Sequence, residues 1–188
     1  VPALTLVGSG DSRADIEKLE KKVAEGFTWF NIKLAMAPAQ AEWETMAAAR
    51  ELVGADGVVC GDANEGWDEE EALNFLDGAA DIGVRFVEQP VARADPGALL
   101  RVAERSPIRI CADESAGTLE SVLGYAGTAV SGVSLKLIKH GGITGVMRGA
   151  GICATSGLAV NLAGKVIESS ISAAANLHCA AAMESIDF

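Results

Sequence analysis

Short runs of Val, Ile, Leu and Phe recur along the chain, each followed by a longer mixed segment rich in Ala, Leu, Glu and Lys. Runs of the first kind, bounded by Gly or Pro, predict buried strands, and the mixed segments predict helices. Val1 to Val7 opens as a strand, Gly8 to Asp11 turns, and Ser12 to Glu25 predicts a helix with Ser12 as its cap. Thr28 to Leu34 is the second strand, with Lys33 at its end, and Ala39 to Val53 the second helix. Gly57 to Cys60 leads into Asp62-Ala63-Asn64, and a helix follows from Asp68 to Ile82. The fourth strand, from Val84, ends in Glu88 and is stopped by Pro90.

The same unit continues. A helix from Pro96 to Arg105 precedes Pro107 to Ala112, which stops at Asp113-Glu114-Ser115. Thr118 to Gly127 predicts a helix, Gly132 to Leu137 a strand carrying Lys136, Ile143 to Ser156 a helix and Leu158 to Leu162 the seventh strand. Glu168 to Met183 is an Ala-rich helix, and Ser185 to Phe188 predicts an eighth strand. Strands alternating with helices at a repeat of about 25 residues call for an α/β fold with a parallel sheet and right-handed crossovers. An open doubly wound sheet satisfies that pattern. A closed TIM-like barrel fits it better, because functional side chains then come from the C-terminal ends of many successive strands. The 188 residues predict a single domain, slightly short of the roughly 200 residues of such barrels; a first residue Val1 and a last residue Phe188 in an apolar segment predict shortening at both ends.

Composition narrows the partners. A net charge of −11 without a Lys/Arg cluster argues against nucleic acid and against an anionic membrane surface, and leaves small molecules and metal cations. No apolar run approaches a membrane span and no signal peptide opens the chain, which predicts a cytoplasmic protein. Cys60, Cys111, Cys153 and Cys179 form no Cys-x-x-Cys and have no His in zinc-ligand spacing, so neither a disulfide framework nor a zinc site is predicted.

A carboxylate at the end of a buried strand needs a reason. Asp62, Glu88 and Asp113 are 26 and 25 residues apart, which predicts equivalent positions on three neighbouring strands. Any one of them alone reads as a helix cap. Three together, at a strand spacing of about 4.8 Å, repel by roughly 4 kcal/mol per pair and call for protons or a cation. An all-oxygen set selects Mg²⁺, or Mn²⁺, over zinc. Lys33 and Lys136 close the second and sixth strands on either side of the trio, and read as a proton-transfer pair working beside a metal that binds a substrate carboxylate and stabilises an enediolate.

These residues carry a resemblance. Asn31-Ile32-Lys33, Asp62-Ala63-Asn64, Val87-Glu88-Gln89-Pro90, Ala112-Asp113-Glu114-Ser115 and Leu135-Lys136 with Lys139 and Gly141-Gly142 resemble the motifs of the enolase superfamily. Within it, the likeness is to the muconate lactonizing enzyme and mandelate racemase-like barrel over nearly the whole chain. The superfamily is known for lysine and Mg²⁺ chemistry on carboxylates. The resemblance implies a modified (β/α)7β barrel, metal ligands Asp62, Glu88 and Asp113, and acid/base lysines Lys33 and Lys136. It implies abstraction of the proton α to a carboxylate of a small molecule, in racemisation or epimerisation, cycloisomerisation or elimination, and it implies homo-oligomers. Three departures stand out. Asn31 replaces the first lysine of the family's Lys-x-Lys, the family's N-terminal capping domain is absent from this chain, and Asp187 resembles only the first Asp of the Asp-x-Asp of dipeptide epimerases. The first two favour a second reading, a catalytically inactive metal-binding barrel fragment serving as a structural or binding module.

Other polar residues have local readings. Asn64 either holds a metal ligand or makes an Asx turn. Glu114 balances charge and Glu168 caps the last helix. His140, before Gly141-Gly142, either touches a ligand or, the favoured reading, is a surface loop residue, and His178 reads as structural. Gly164-Lys165 resembles a phosphate-binding turn without the Gly-rich run to support it.

Overall fold

The computed structural model describes residues 3–165 and 168–183. They form an α/β fold with seven parallel strands, and the chain divides into two compact units, one ending at Ile110 and the other running on from Cys111.

The first unit contains β1 (Thr5–Val7), α1 (Ser12–Ala24), β2 (Trp29–Lys33), α2 (Ala39–Val53), β3 (Val58–Asp62), α3 (Glu69–Ala79), β4 (Val87–Glu88) and α4 (Pro96–Arg105). The strands pair in sequence order, with Lys33 opposite Asp62 and Asp62 opposite Glu88. All five residues of β3 are buried, as expected of a parallel strand covered on both faces. On β2 the alternation is visible: Phe30 and Ile32 are buried in the core, while Asn31 and Lys33 share the other face. Behind the sheet, Met46, Ala49, Leu76 and Leu99 fill the layer between strands and helices. Gly78 lets the Trp43 ring lie against α3, where a Cβ would come within 2.2 Å of it.

The helix starts follow from short polar side chains. Asp11, and not Ser12 as the sequence predicts, caps α1 by accepting from the N–H groups of Arg13 and Ala14. The Ser12 hydroxyl is engaged elsewhere, accepting from Thr45 Oγ1 on α2 at 2.9 Å. Asp68 and Glu71 form a capping box on α3, and Asp95 with Pro96 at the first helical position starts α4. The expected helix to Ile82 stops earlier as an α-helix and finishes as a 3₁₀ turn over Ala80–Ile82, closed by Gly83 at φ +80°.

The second unit contains β5 (Ile110–Ala112), whose first residue still belongs to the first unit, then α5 (Leu119–Gly124), β6 (Gly132–Leu135), α6 (Leu137–His140), α7 (Ile143–Ser156), β7 (Ala159–Leu162) and α8 (Ser170–Ala182). β5, β6 and β7 pair in that order, with Ala112 opposite Val133 and Ser134 opposite Asn161. The one-turn α6 is new relative to the sequence pattern, and β6 ends at Leu135 rather than Leu137. Alternating Leu and Lys continue the strand pattern there, but Gly141 at φ +74° closes a turn that begins at Lys136. Ser169 caps α8; Glu168 instead accepts from the Lys165 N–H at 2.9 Å. α8 carries no charged residue, and Ile171, Leu177 and His178 on it are exposed. The predicted eighth strand and Asp187 lie outside the described residues. Among the described residues no helix is long and apolar enough to cross a membrane, and the four cysteines are free and buried.

Candidate active site

In the first unit, register brings Lys33, Asp62 and Glu88 to the same level of three adjacent parallel strands, so their side chains leave the sheet on one face. Asp62 is 4% exposed and Glu88 2%. Lys33 Nζ donates to Asp62 Oδ2 at 2.6 Å and to Asn64 Oδ1 at 2.5 Å. The Asn64 backbone N–H in turn donates to Asp62 Oδ1 at 3.0 Å. The structure therefore differs from both readings of the Asn64 side chain: the Asx turn is made by Asp62, and the Asn64 side chain holds the lysine. Asn31 lies two residues before Lys33 on the same face, and its buried Oδ1 has no hydrogen-bond partner among the described residues.

Three features that sequence patterns do not expose support this corner. Glu42, 5% exposed, accepts from the N–H groups of Ala35, Met36 and Ala37 and so fixes the loop that leaves Lys33. Gly8 at φ +142° sits so close that a Cβ there would come within 2.4 Å of Lys33 Cβ. Ala35, Asn64, Glu65 and Gln89 adopt positive φ, at 59°, 45°, 68° and 36°. All four follow the ends of β2, β3 and β4. Left-handed backbone at such residues costs of order 1–3 kcal/mol each and concentrates where chemistry needs it.

In the second unit, Asp113 follows β5 and is 2% exposed. Lys136 Nζ bonds Asp113 Oδ2. Lys139 Nζ donates to Asp113 Oδ1 at 2.5 Å, to the Asp113 main-chain oxygen at 2.7 Å and to the Ser134 main-chain oxygen at 2.8 Å. Burial pushes the Asp113 carboxyl up, but Lys139 and Lys136 outweigh it and hold the group below the usual carboxylate range. His140 is not the surface loop residue that the sequence predicts: it ends α6 half-buried, with Nδ1 3.0 Å from the Lys136 carbonyl oxygen. Burial pushes its imidazole down. Below the site, Asn161 Nδ2 donates to Ser134 Oγ at 2.9 Å across β6 and β7.

Residues 14–188 match the family described as enolase C-terminal domain-like. The chain belongs to that family. It is 36% identical over its full length to a chloromuconate cycloisomerase of Cupriavidus necator and 32% identical, over 96% of its length, to a hydrophobic dipeptide epimerase of Enterococcus faecalis. Each match covers 51% of the relative, so the chain spans about half the length of these curated relatives. Among solved structures, the dipeptide epimerase from Enterococcus faecalis V583 superposes with a TM-score of 0.90 at 30% identity, covering 99% of this chain and 54% of that one. The muconate lactonizing enzyme from Pseudomonas putida does so with a TM-score of 0.89 at 27% identity, covering 100% and 53%. The epimerase has also been solved in complex with Mg and the dipeptide L-Leu-L-Tyr.

Within this enolase-like fold the donor chemistry suits a hard divalent cation. Asp62 and Glu88 offer only oxygen, are buried, and stand opposite each other in register. Their joint field is felt by the Cys60 thiol, which burial, then Glu88 and then Asp62 push well above its ordinary value. Among the described residues no three His, Cys, Asp or Glu side chains are grouped as a metal site; the fit rests on the donors themselves.

Proposed function

We propose that the protein abstracts the proton α to a carboxylate of a small-molecule acid, as a cycloisomerase or epimerase of the muconate lactonizing enzyme kind. One observation carries the reading: two lysines at strand ends, Lys33 and Lys136, are each ion-paired to a buried aspartate, Asp62 and Asp113. The lysine that acts as base works as the neutral amine, and its Nζ takes the proton from the substrate carbon. In epimerisation the second lysine returns a proton to the carbon, whereas in cycloisomerisation one lysine serves the proton and the other supplies positive charge. Asn64 holds Lys33 Nζ in place through its side-chain oxygen. By the resemblance to the family's motifs, Asp62, Glu88 and Asp113 are the residues that would hold Mg²⁺, or Mn²⁺, which would supply positive charge for the substrate carboxylate.

The likeness to chloromuconate cycloisomerases and to dipeptide epimerases supports unsaturated diacids and dipeptides as the first substrates to try. Asn31, in the place of the family's first lysine, leaves Lys33 without a cation two residues away. Four free, buried thiols fit a cytoplasmic setting.

The test is hydrogen exchange in D₂O with Mg²⁺ over a panel of muconates, dipeptides and racemic 2-substituted acids. Wild type exchanges the α-hydrogen or cyclises a panel member, and Lys33→Met or Lys136→Met loses about 10²–10⁴ in rate. A metal-loaded wild type that neither exchanges nor cyclises any member would overturn the reading, in favour of an inactive binding module.

A further inference from the structure

We infer that Lys139 is a positioning residue of this site: its ammonium clamps Asp113, by main chain and side chain together, to the end of β6, and so sets the direction in which that carboxylate is offered. The inference rests on the reading of Asp113 as a metal ligand.

An ammonium has three protons and no acceptor, and three oxygens receive them here: Asp113 Oδ1, the Asp113 carbonyl and the Ser134 carbonyl. Two of the three are main-chain atoms at the ends of neighbouring strands, β5 and β6, which no side-chain movement can withdraw. Lys136 bonds the other carboxylate oxygen of Asp113. The two lysines reach one carboxylate because Lys136, in extended backbone, stands at the N-cap of α6 and Lys139 lies in the single turn that follows, which Gly141 closes directly after His140. A lysine fixed on two carbonyls and a carboxylate is poorly suited to carrying a proton to and from a substrate and well suited to holding a ligand oxygen. Its side chain is 18% exposed and that of Asp113 2%, so bulk water does little to loosen the clamp.

Partners that orient a metal ligand typically account for about 10- to 100-fold in metal affinity. Calorimetric titration of Mg²⁺ into wild type, Lys139→Met and Lys139→Arg decides the point, with the metal-free melting temperature recorded alongside. The expected result is a Mg²⁺ dissociation constant about 10- to 100-fold higher in folded Lys139→Met. Lys139→Arg also weakens binding, because a planar fork does not reproduce three bonds converging on one nitrogen. If the Met variant does not fold, the Arg variant carries the decision. A lower melting temperature with wild-type Mg²⁺ affinity marks a merely structural lysine and overturns the inference, as does full rescue by Arg, which would make charge alone sufficient. Wild type that takes up no Mg²⁺ overturns the metal assignment itself; wild type that binds Mg²⁺ while both variants bind it equally well overturns only the role of Lys139.

Discussion

Asp62 and Glu88 stand opposite each other at strand spacing, both carboxylates buried on one face of the sheet, and like charges so placed favour any cation between or beside them. Glu88→Gln removes one of those charges while keeping size and a hydrogen-bonding oxygen. At about 100 times its dissociation constant, Mg²⁺ stabilises a protein by about 2.7 kcal/mol, which for a chain of this length raises the melting temperature by roughly 5–10 °C. Wild type should show such a rise in a Mg²⁺ titration followed by thermal melts, and Glu88→Gln should show none. An equal rise in both would remove Glu88 from the ligand set. The level of Glu88 with Asp62 was legible in the sequence, because a strand-helix repeat of nearly constant length returns the chain to the same height. Asn64 was not legible in full: its hold on Lys33 depends on a left-handed backbone at φ +45°, a state that residue type alone leaves open. Glu42 was missed because its three partners lie in a loop, and a glutamate in the first turn of a helix already has a sufficient reason in the helix dipole.

At the scale of elements, β1 ends where it must make room for Lys33. Gly8 lies so near that a methyl group would sit 2.4 Å from Lys33 Cβ and 2.8 Å from its backbone nitrogen, and its φ of +142° is itself unfavourable for other residues. Overpacking of this kind costs about 1–3 kcal/mol. Gly8→Ala should therefore lower the melting temperature and also slow α-hydrogen exchange, since the displaced atoms belong to the lysine strand. A variant that melts lower yet exchanges at the wild-type rate would separate Gly8 from the site. Most helices were legible from caps and stops, and α2, α4 and α7 run over the predicted residues. The short α6 was hidden because Leu-Lys-Leu-Ile-Lys reads as strand until the glycines that follow are given their left-handed role. With α6 went the observation that Lys139 and Lys136 meet on one carboxylate. At the start of α1 two neighbouring residues competed for one task, and the longer reach of Asp11 won it while Ser12 bonded Thr45.

Across the whole molecule, charge is spread unevenly. Twenty of the 26 acidic and eleven of the 15 basic residues precede Cys111, so the rest of the chain is sparse in charge of either sign. α8 is the extreme of that trend, a helix without Asp, Glu, Lys or Arg and with Ile171 81% and Leu177 58% exposed. In neutral buffer, mutual repulsion between molecules carrying a net charge of −11 keeps such surfaces apart. Near the sequence isoelectric point of about 4.6 that repulsion vanishes, and colloidal stability rests on what α8 presents. Light scattering should rise as the pH is lowered toward that value, and Ile171→Lys should delay the rise; identical traces would acquit the helix. Purification and storage of this protein are in that sense governed by a segment remote in sequence from Lys33 and Asp62, and acidic chromatography is the step at which it would first be lost.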